Sequence, residues 1–136
     1  MVKLSSKREN FELAYAALDR MVNLLRSQPV DPENDLYWSA VMSVIKGFEL
    51  CYETCWKFLK HHMLEQYKIE TLSPRVVFRL SAEHGLLTRD ISDELIKLID
   101  VRNATAHTYN PDLAQSVSTD IVRHLDVFSK VLSSCS

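Results

Sequence analysis

From Asp35 to Tyr67 no proline interrupts the chain, and a single glycine, Gly47, falls inside the run. Apolar side chains recur along it at Val41, Val44, Ile45, Phe48, Cys51, Tyr52, Cys55, Trp56, Leu59 and Met63. That three-and-four spacing places them on one side of an α-helix. At about 1.5 Å per residue such a helix spans roughly 48 Å, longer than one small core needs. A helix so long and so apolar is expected to share a face with another chain. Gly47 costs a helix interior about 1 kcal/mol relative to alanine, and close approach of another helix is the expected reason for it.

The remainder is read around this helix. With Gly 2 and Pro 4 in 136 residues, the turn chemistry of a many-stranded fold is missing. Ser5 or Ser6 is expected to cap a first helix, with Glu9 completing a capping box. Its stripe is Phe11, Tyr15, Leu18, Val22 and Leu25, and Pro29 and Pro32 stop it. Ser73-Pro74 pairs a cap with proline at the first helical position and opens a short third helix, which Gly85 ends. Asp90 or Ser92 begins a fourth helix, and Asn110-Pro111 repeats the cap-and-proline start for a fifth. Leu113, Val117, Ile121, Leu125, Phe128 and Leu132 give the fifth its apolar stripe. The expected fold is all-α, an up-and-down bundle of about five helices forming one domain over residues 1–136.

The formal net charge of −2 argues against wrapping nucleic acid by bulk charge, so any RNA contact must be local. No apolar run reaches membrane-spanning length, so a cytoplasmic chain without a membrane or DNA partner is expected. Cys51 and Cys55, four apart on one helix, are badly placed to bridge and are expected in the core; Cys135 is expected to be a thiol at a frayed end. Cys51, Cys55 and His62 lack a fourth ligand, and Glu49 and Glu53 lack a histidine partner. No metal or other cofactor is therefore expected.

Chemistry concentrates at the end of the fourth helix, in Asp100-Val101-Arg102-Asn103-Ala104-Thr105-Ala106-His107-Thr108-Tyr109. Leu95, Leu98, Ile99, Arg102 and Ala106 share one stripe, so Arg102 is expected to face inward; Ile96, Ile99, Asn103 and His107 share another. An inward arginine needs an anion. Metal-free RNA cleavage needs a proton carrier for the ribose 2′-hydroxyl or the leaving oxygen. It also needs a cation for the growing phosphoryl charge and a group to orient the phosphate. His107, Arg102 and Asn103 are of the right types for these tasks, and Asn103 could instead fix the imidazole tautomer. Arginine and histidine five apart also occur at Arg79 and His84, so only the larger set with Asn103 and Tyr109 is informative. The bland alternatives are an ion pair of Arg102 with Asp100 or a partner's carboxylate, a helix-end histidine, and a packed Tyr109. Lys57, Lys60, His61, His62, Arg75 and Arg79 fit either a solvated helix face, the favoured reading, or a phosphate track.

Arg102 to Tyr109 resembles the R-x4-H-x-Y signature of the HEPN proteins that pair with minimal nucleotidyltransferases (MNT), also called nucleotidyltransferase substrate-binding proteins. Phe48 to Lys60 is similar to that family's long helix, and Ser73-Pro74-Arg75 through Gly85-Leu86-Leu87 to its third helix and turn. Leu80-Ser81-Ala82 departs where the family more often carries an aromatic residue. The resemblance implies a homodimer whose signature helices meet at a cleft, acting as a metal-independent ribonuclease toxin on RNA. Arg102 and His107 would be the catalytic pair, Asn103 the polar position beside them, and Tyr109 the site where an MNT antitoxin adds adenylyl groups. Phosphates there would occupy the Arg102 anion site and repel RNA. The alternative is a non-catalytic subunit that presents a nucleotide to a partner nucleotidyltransferase. The chain itself is no transferase, since its two glycines supply no Gly-Ser strand turn.

Overall fold

The computed structural model describes residues 4–135. Six helices follow in order: α1 (Leu4–Arg26), α2 (Asp35–Tyr67), α3 (Pro74–Glu83), α4 (Arg89–Ala104), α5 (Pro111–His124) and α6 (Asp126–Ser134), with a 3-10 turn at Thr105–His107. Among the described residues there is no strand. The all-α up-and-down bundle holds, and the expected fifth helix is split in two. At Leu125 the backbone keeps helical angles, but its bonds shorten to the three-residue pattern, Leu125 N to Val122 O and Phe128 N to Leu125 O. The stripe survives this break, because Ile121, Leu125 and Phe128 all stay buried.

α2 is the post around which the others pack, with α1 along its length and α3 and α5 against it. Its whole predicted stripe is buried except Trp56, which is half-buried. Gly47 faces α1: a Cβ there would lie 3.4 Å from Leu18 Cδ1 and 3.5 Å from Leu18 Cα. The close approach expected of this glycine is therefore made within the chain, by its own first helix.

The helix ends are mostly those the local chemistry sets. Asn34, Ser73 and Asn110 cap α2, α3 and α5 through their side chains, and Gly85 takes a left-handed φ of 75°. Three details differ. α1 is already helical at Leu4, so Ser5 and Ser6 lie inside it and do not cap it. Thr88 caps α4 in place of Asp90 or Ser92; Ser92 is buried and donates to Phe78 O at 2.7 Å, tying α4 to α3. Cys135 is not a loose end. It packs half-buried against the core, and its carbonyl accepts from Arg8 Nη1 at 2.9 Å.

Candidate functional site

Arg102 occupies the last turn of α4, where that helix crosses α2. Its guanidinium is held on one nitrogen: Nη1 donates to Thr105 Oγ1 at 2.9 Å and pairs with Glu49 Oε2 at 3.3 Å. The Thr105 hydroxyl in turn donates to Arg102 O at 2.7 Å, and Thr105 is 6% exposed. One buried hydroxyl thus fastens both ends of the arginine. The expectation that Arg102 would meet an anion is correct, and within the chain that partner is Glu49 rather than Asp100. Among the described residues Nη2 and Nε donate to nothing, so the outer edge of the fork is free. About a third of the Arg102 side chain is in water.

The electrostatic surroundings extend down α2. Burial pushes the Glu53 carboxyl up, but hydrogen bonds from Trp56 and Lys57 and the charges of Lys57 and Arg102 outweigh it and leave it below the usual carboxylate range. Burial raises the Tyr52 phenol to about 12, and Cys55 and Glu53 push the same way against the pull of Arg102 and Arg75. Tyr52 is a core residue with no readiness to ionise. Burial likewise holds the Cys51 and Cys55 thiols far up.

Two residues beyond Arg102, at Ala104, the α-helix stops. The chain tightens into the 3-10 turn, with Thr108 Oγ1 donating to Thr105 O at 3.1 Å and Asn110 N to His107 O at 3.3 Å. The tighter turn rotates the last residues off the α4 stripe. Ala106 is consequently exposed rather than inward, and His107 is not carried on an α-helical face above Asn103. Asn103, His107 and Tyr109 all face water. His107 and Tyr109 meet edge to face with ring centroids 6.3 Å apart, and Tyr109 is 85% exposed. Among the described residues Asn103 and His107 make no side-chain hydrogen bond to one another or to Arg102, so the amide does not fix the imidazole tautomer here. Arg102 and His107 are both open to solvent.

Two residues of the site escaped the sequence reading. Glu49 was visible only as half of a carboxylate pair, and no local signal tied it to Arg102 fifty-three positions later. Thr105 lay inside the motif, yet a threonine near a helix end has many uses. The suggested track of basic residues is not one surface. Lys57, Lys60 and His61 line one cavity; Arg79 lines another with Arg89; and His62 sits edge-on to Phe58 at 5.9 Å. Among the described residues no three His, Cys, Asp or Glu side chains group to hold a metal ion, and no helix is long and apolar enough to cross a membrane.

The fold and the site together define an all-helical bundle with an arginine in the last turn of its fourth helix and an imidazole and a phenol on the turn beyond. The profile of the family described as nucleotidyltransferase substrate binding protein like matches residues 6–136, and the chain belongs to that HEPN-type family. It is 34% identical over 83 residues to the mRNA nuclease HepT of Shewanella oneidensis; that stretch is 61% of this chain and 59% of the nuclease. A Thermus thermophilus protein of known crystal structure superposes with a TM-score of 0.72 at 28% identity, covering 88% of this chain and 96% of that one. The tri-AMPylated Shewanella oneidensis HEPN toxin, solved with its MNT antitoxin, shares the fold at a TM-score of 0.72 and 23% identity, over 98% of this chain and 97% of that one.

Proposed function

We propose that this chain is the ribonuclease toxin of a HEPN and MNT toxin–antitoxin module, cleaving RNA without a metal at a cleft between two copies. The observation that carries the reading is the one-sided grip on Arg102. Glu49 and Thr105 hold Nη1, so Nη2 and Nε are presented as a pre-set pair of donors for a phosphate. The kinship with a protein named an mRNA nuclease supports the same reading.

In this mechanism a neutral His107 takes the proton of a ribose 2′-hydroxyl. The 2′-oxygen attacks phosphorus, the bond to the 5′-oxygen breaks, and the imidazolium from the second copy protonates that leaving oxygen. A 2′,3′-cyclic phosphate and a 5′-hydroxyl result. Arg102 stabilises the charge that builds on the phosphoryl oxygens, and Asn103, exposed beside it, orients the phosphate. Exposed Leu50, next to Glu49 on α2, and half-buried Ile96 and Ile99 on α4 supply apolar surface for pairing two copies. The antitoxin partner is an MNT protein that adenylylates Tyr109. The exposed Tyr109 hydroxyl is reachable by such an enzyme, and added phosphates would sit beside His107.

The test is cleavage of RNA by the purified chain in excess EDTA. Cyclic-phosphate ends are expected from wild type, and no cleavage from His107→Ala. Equal cleavage by that variant ends the proposal. Intact mass after co-expression with an MNT protein, with and without Tyr109→Phe, tests the control step.

A further inference from the structure

A cavity of about 430 Å³ opens toward the C-terminal end of α2, between the start of α1 and the segment that follows α2. That volume lies in the ordinary range of small-ligand sites, roughly 300–1,000 Å³. Its lining offers three kinds of surface. Lys7 and Lys60 are half-buried cations: Lys7 makes no ion pair among the described residues, and Lys60 Nζ rests 5.7 Å over the Trp56 ring. A third lysine, Lys57, is already matched by Glu53 at 3.2 Å. Glu70 is the one carboxylate of the lining, and it too forms no ion pair among the described residues. Leu64, Ile69 and Leu72 make the apolar part, with Leu72 90% exposed.

Two unsatisfied polar groups on the wall are independent evidence of a ligand. Thr71 is 2% exposed, and its hydroxyl has no hydrogen-bond partner; His61 Nε2 is buried and equally unsatisfied. Glu65 stands 3.8 Å from that nitrogen, beyond hydrogen-bond reach. A buried hydroxyl left without a partner costs free energy, and a valine of the same shape would avoid that cost. A ligand carrying negative charge alone would answer Lys7 and Lys60 and leave Glu70 facing like charge. A ligand with both signs of charge and an apolar body meets all three surfaces at once.

We infer that this cavity binds a free α-amino acid with an apolar side chain. Its carboxylate accepts from the Thr71 hydroxyl, the His61 imidazole and the ammonium groups of Lys7 and Lys60. Its own ammonium donates to Glu70, and its side chain lies against Leu64, Ile69 and Leu72. Arg102 and His107 do not line the cavity, so the ribonuclease reading can fail while this one stands.

Titration calorimetry of the full-length chain with leucine tests this, with isocaproate, which lacks the ammonium, and isoamylamine, which lacks the carboxylate, as comparisons. Leucine is expected to bind saturably, and each analogue at least about tenfold more weakly, the loss of one charge-assisted pairing. Thr71→Val and Lys60→Met should each weaken leucine by about tenfold or more, whereas Arg102→Ala should bind as wild type. Thr71→Val should also melt no lower than wild type, which separates lost binding from lost folding. Glu70→Gln gives the sharpest signature: it should weaken leucine but strengthen isocaproate, so that the preference between the two narrows or inverts. The inference is overturned by no saturable leucine binding, by leucine binding that both Thr71→Val and Lys60→Met retain, or by a preference that Glu70→Gln leaves unchanged. Tighter binding of inorganic phosphate or AMP than of leucine would overturn it too, since the cavity would then answer to negative charge alone.

Discussion

Glu49 makes the sharpest prediction, because it both positions Arg102 and neutralises it, and two substitutions separate those effects. The pair is 3.3 Å long, with side chains 35% and 29% exposed. Unit charges at that distance attract by about 1 kcal/mol in water and by several times that in a drier setting. Side chains this wet belong near the lower figure. Glu49→Gln keeps an oxygen acceptor for Nη1 and removes the competing charge. Removing about 1 kcal/mol of competition for the guanidinium should lower the KM for RNA about fivefold, with kcat close to wild type. Glu49→Ala removes charge and acceptor together. Its KM should fall similarly, while kcat drops about tenfold or more because the fork is no longer aimed. Stability should change by less than about 1 kcal/mol in both. The assay is steady-state cleavage of a short labelled RNA at fixed salt, with binding checked by anisotropy in a His107→Ala background. If Glu49→Gln leaves RNA affinity unchanged or weaker, or if Glu49→Ala matches Glu49→Gln in kcat, the clamp reasoning is wrong.

Gly47→Ala should raise thermal stability, since the new Cβ meets Leu18 at ordinary contact distance and the helix gains up to about 1 kcal/mol; Gly47→Leu should force α1 off α2 and lower the melting temperature by several degrees. The native protein should be inert to thiol reagents at pH 8, because Cys51 and Cys55 are wholly buried and burial lifts the half-buried Cys135 thiol to about 11 despite Arg8 nearby; unfolding in urea should release all three. Burial lowers the His62 pKa below 6.5, so the unfolded chain takes the proton first. Stability from this group is complete above about pH 6.5 and is lost as pH falls through its folded value, so urea midpoints should drop on acidification more in wild type than in His62→Gln.

What could be read from the sequence depended on how local the cause was. The stripes of α1, α2 and α5 follow from spacing alone, and Ser73-Pro74, Asn110-Pro111 and Gly85 mark ends by chemistry contained in two or three residues. The misses all needed a neighbour that lies elsewhere in space, or a change of helical pitch. The end of α2 at Tyr67 is not among them: it falls where the sequence puts it, and Lys68 caps it at φ 58° with its N–H on Leu64 O and the next N–H on Met63 O. Ser92 resembled a cap because its burial against Phe78 is tertiary. Ala106 was placed inward by a period of 3.6, which ceases to apply once Thr105 tightens the chain. Cys135 resembled a frayed terminus because Arg8 sits at the opposite end of the sequence.

The same distinction governs the site. From the sequence, an ion pair and an anion-binding role were rival explanations of Arg102, since one charge seemed to need one partner. The geometry leaves room for both. A guanidinium has five donors in a rigid plane, and a carboxylate plus a hydroxyl on Nη1 occupy one corner of it. Lysine could not divide its duties this way, because its ammonium rotates and offers a single centre. Holding the arginine through Glu49 also fixes the side-chain entropy before any phosphate arrives, so that cost is not charged to binding. In the proposed ribonuclease reaction the carboxylate would weaken ground-state attraction while preserving aim, and a transition state carrying more negative charge than the substrate would gain more from the same fixed donors. Arg102→Lys should therefore fail as badly as Arg102→Ala in kcat, even though it keeps the positive charge.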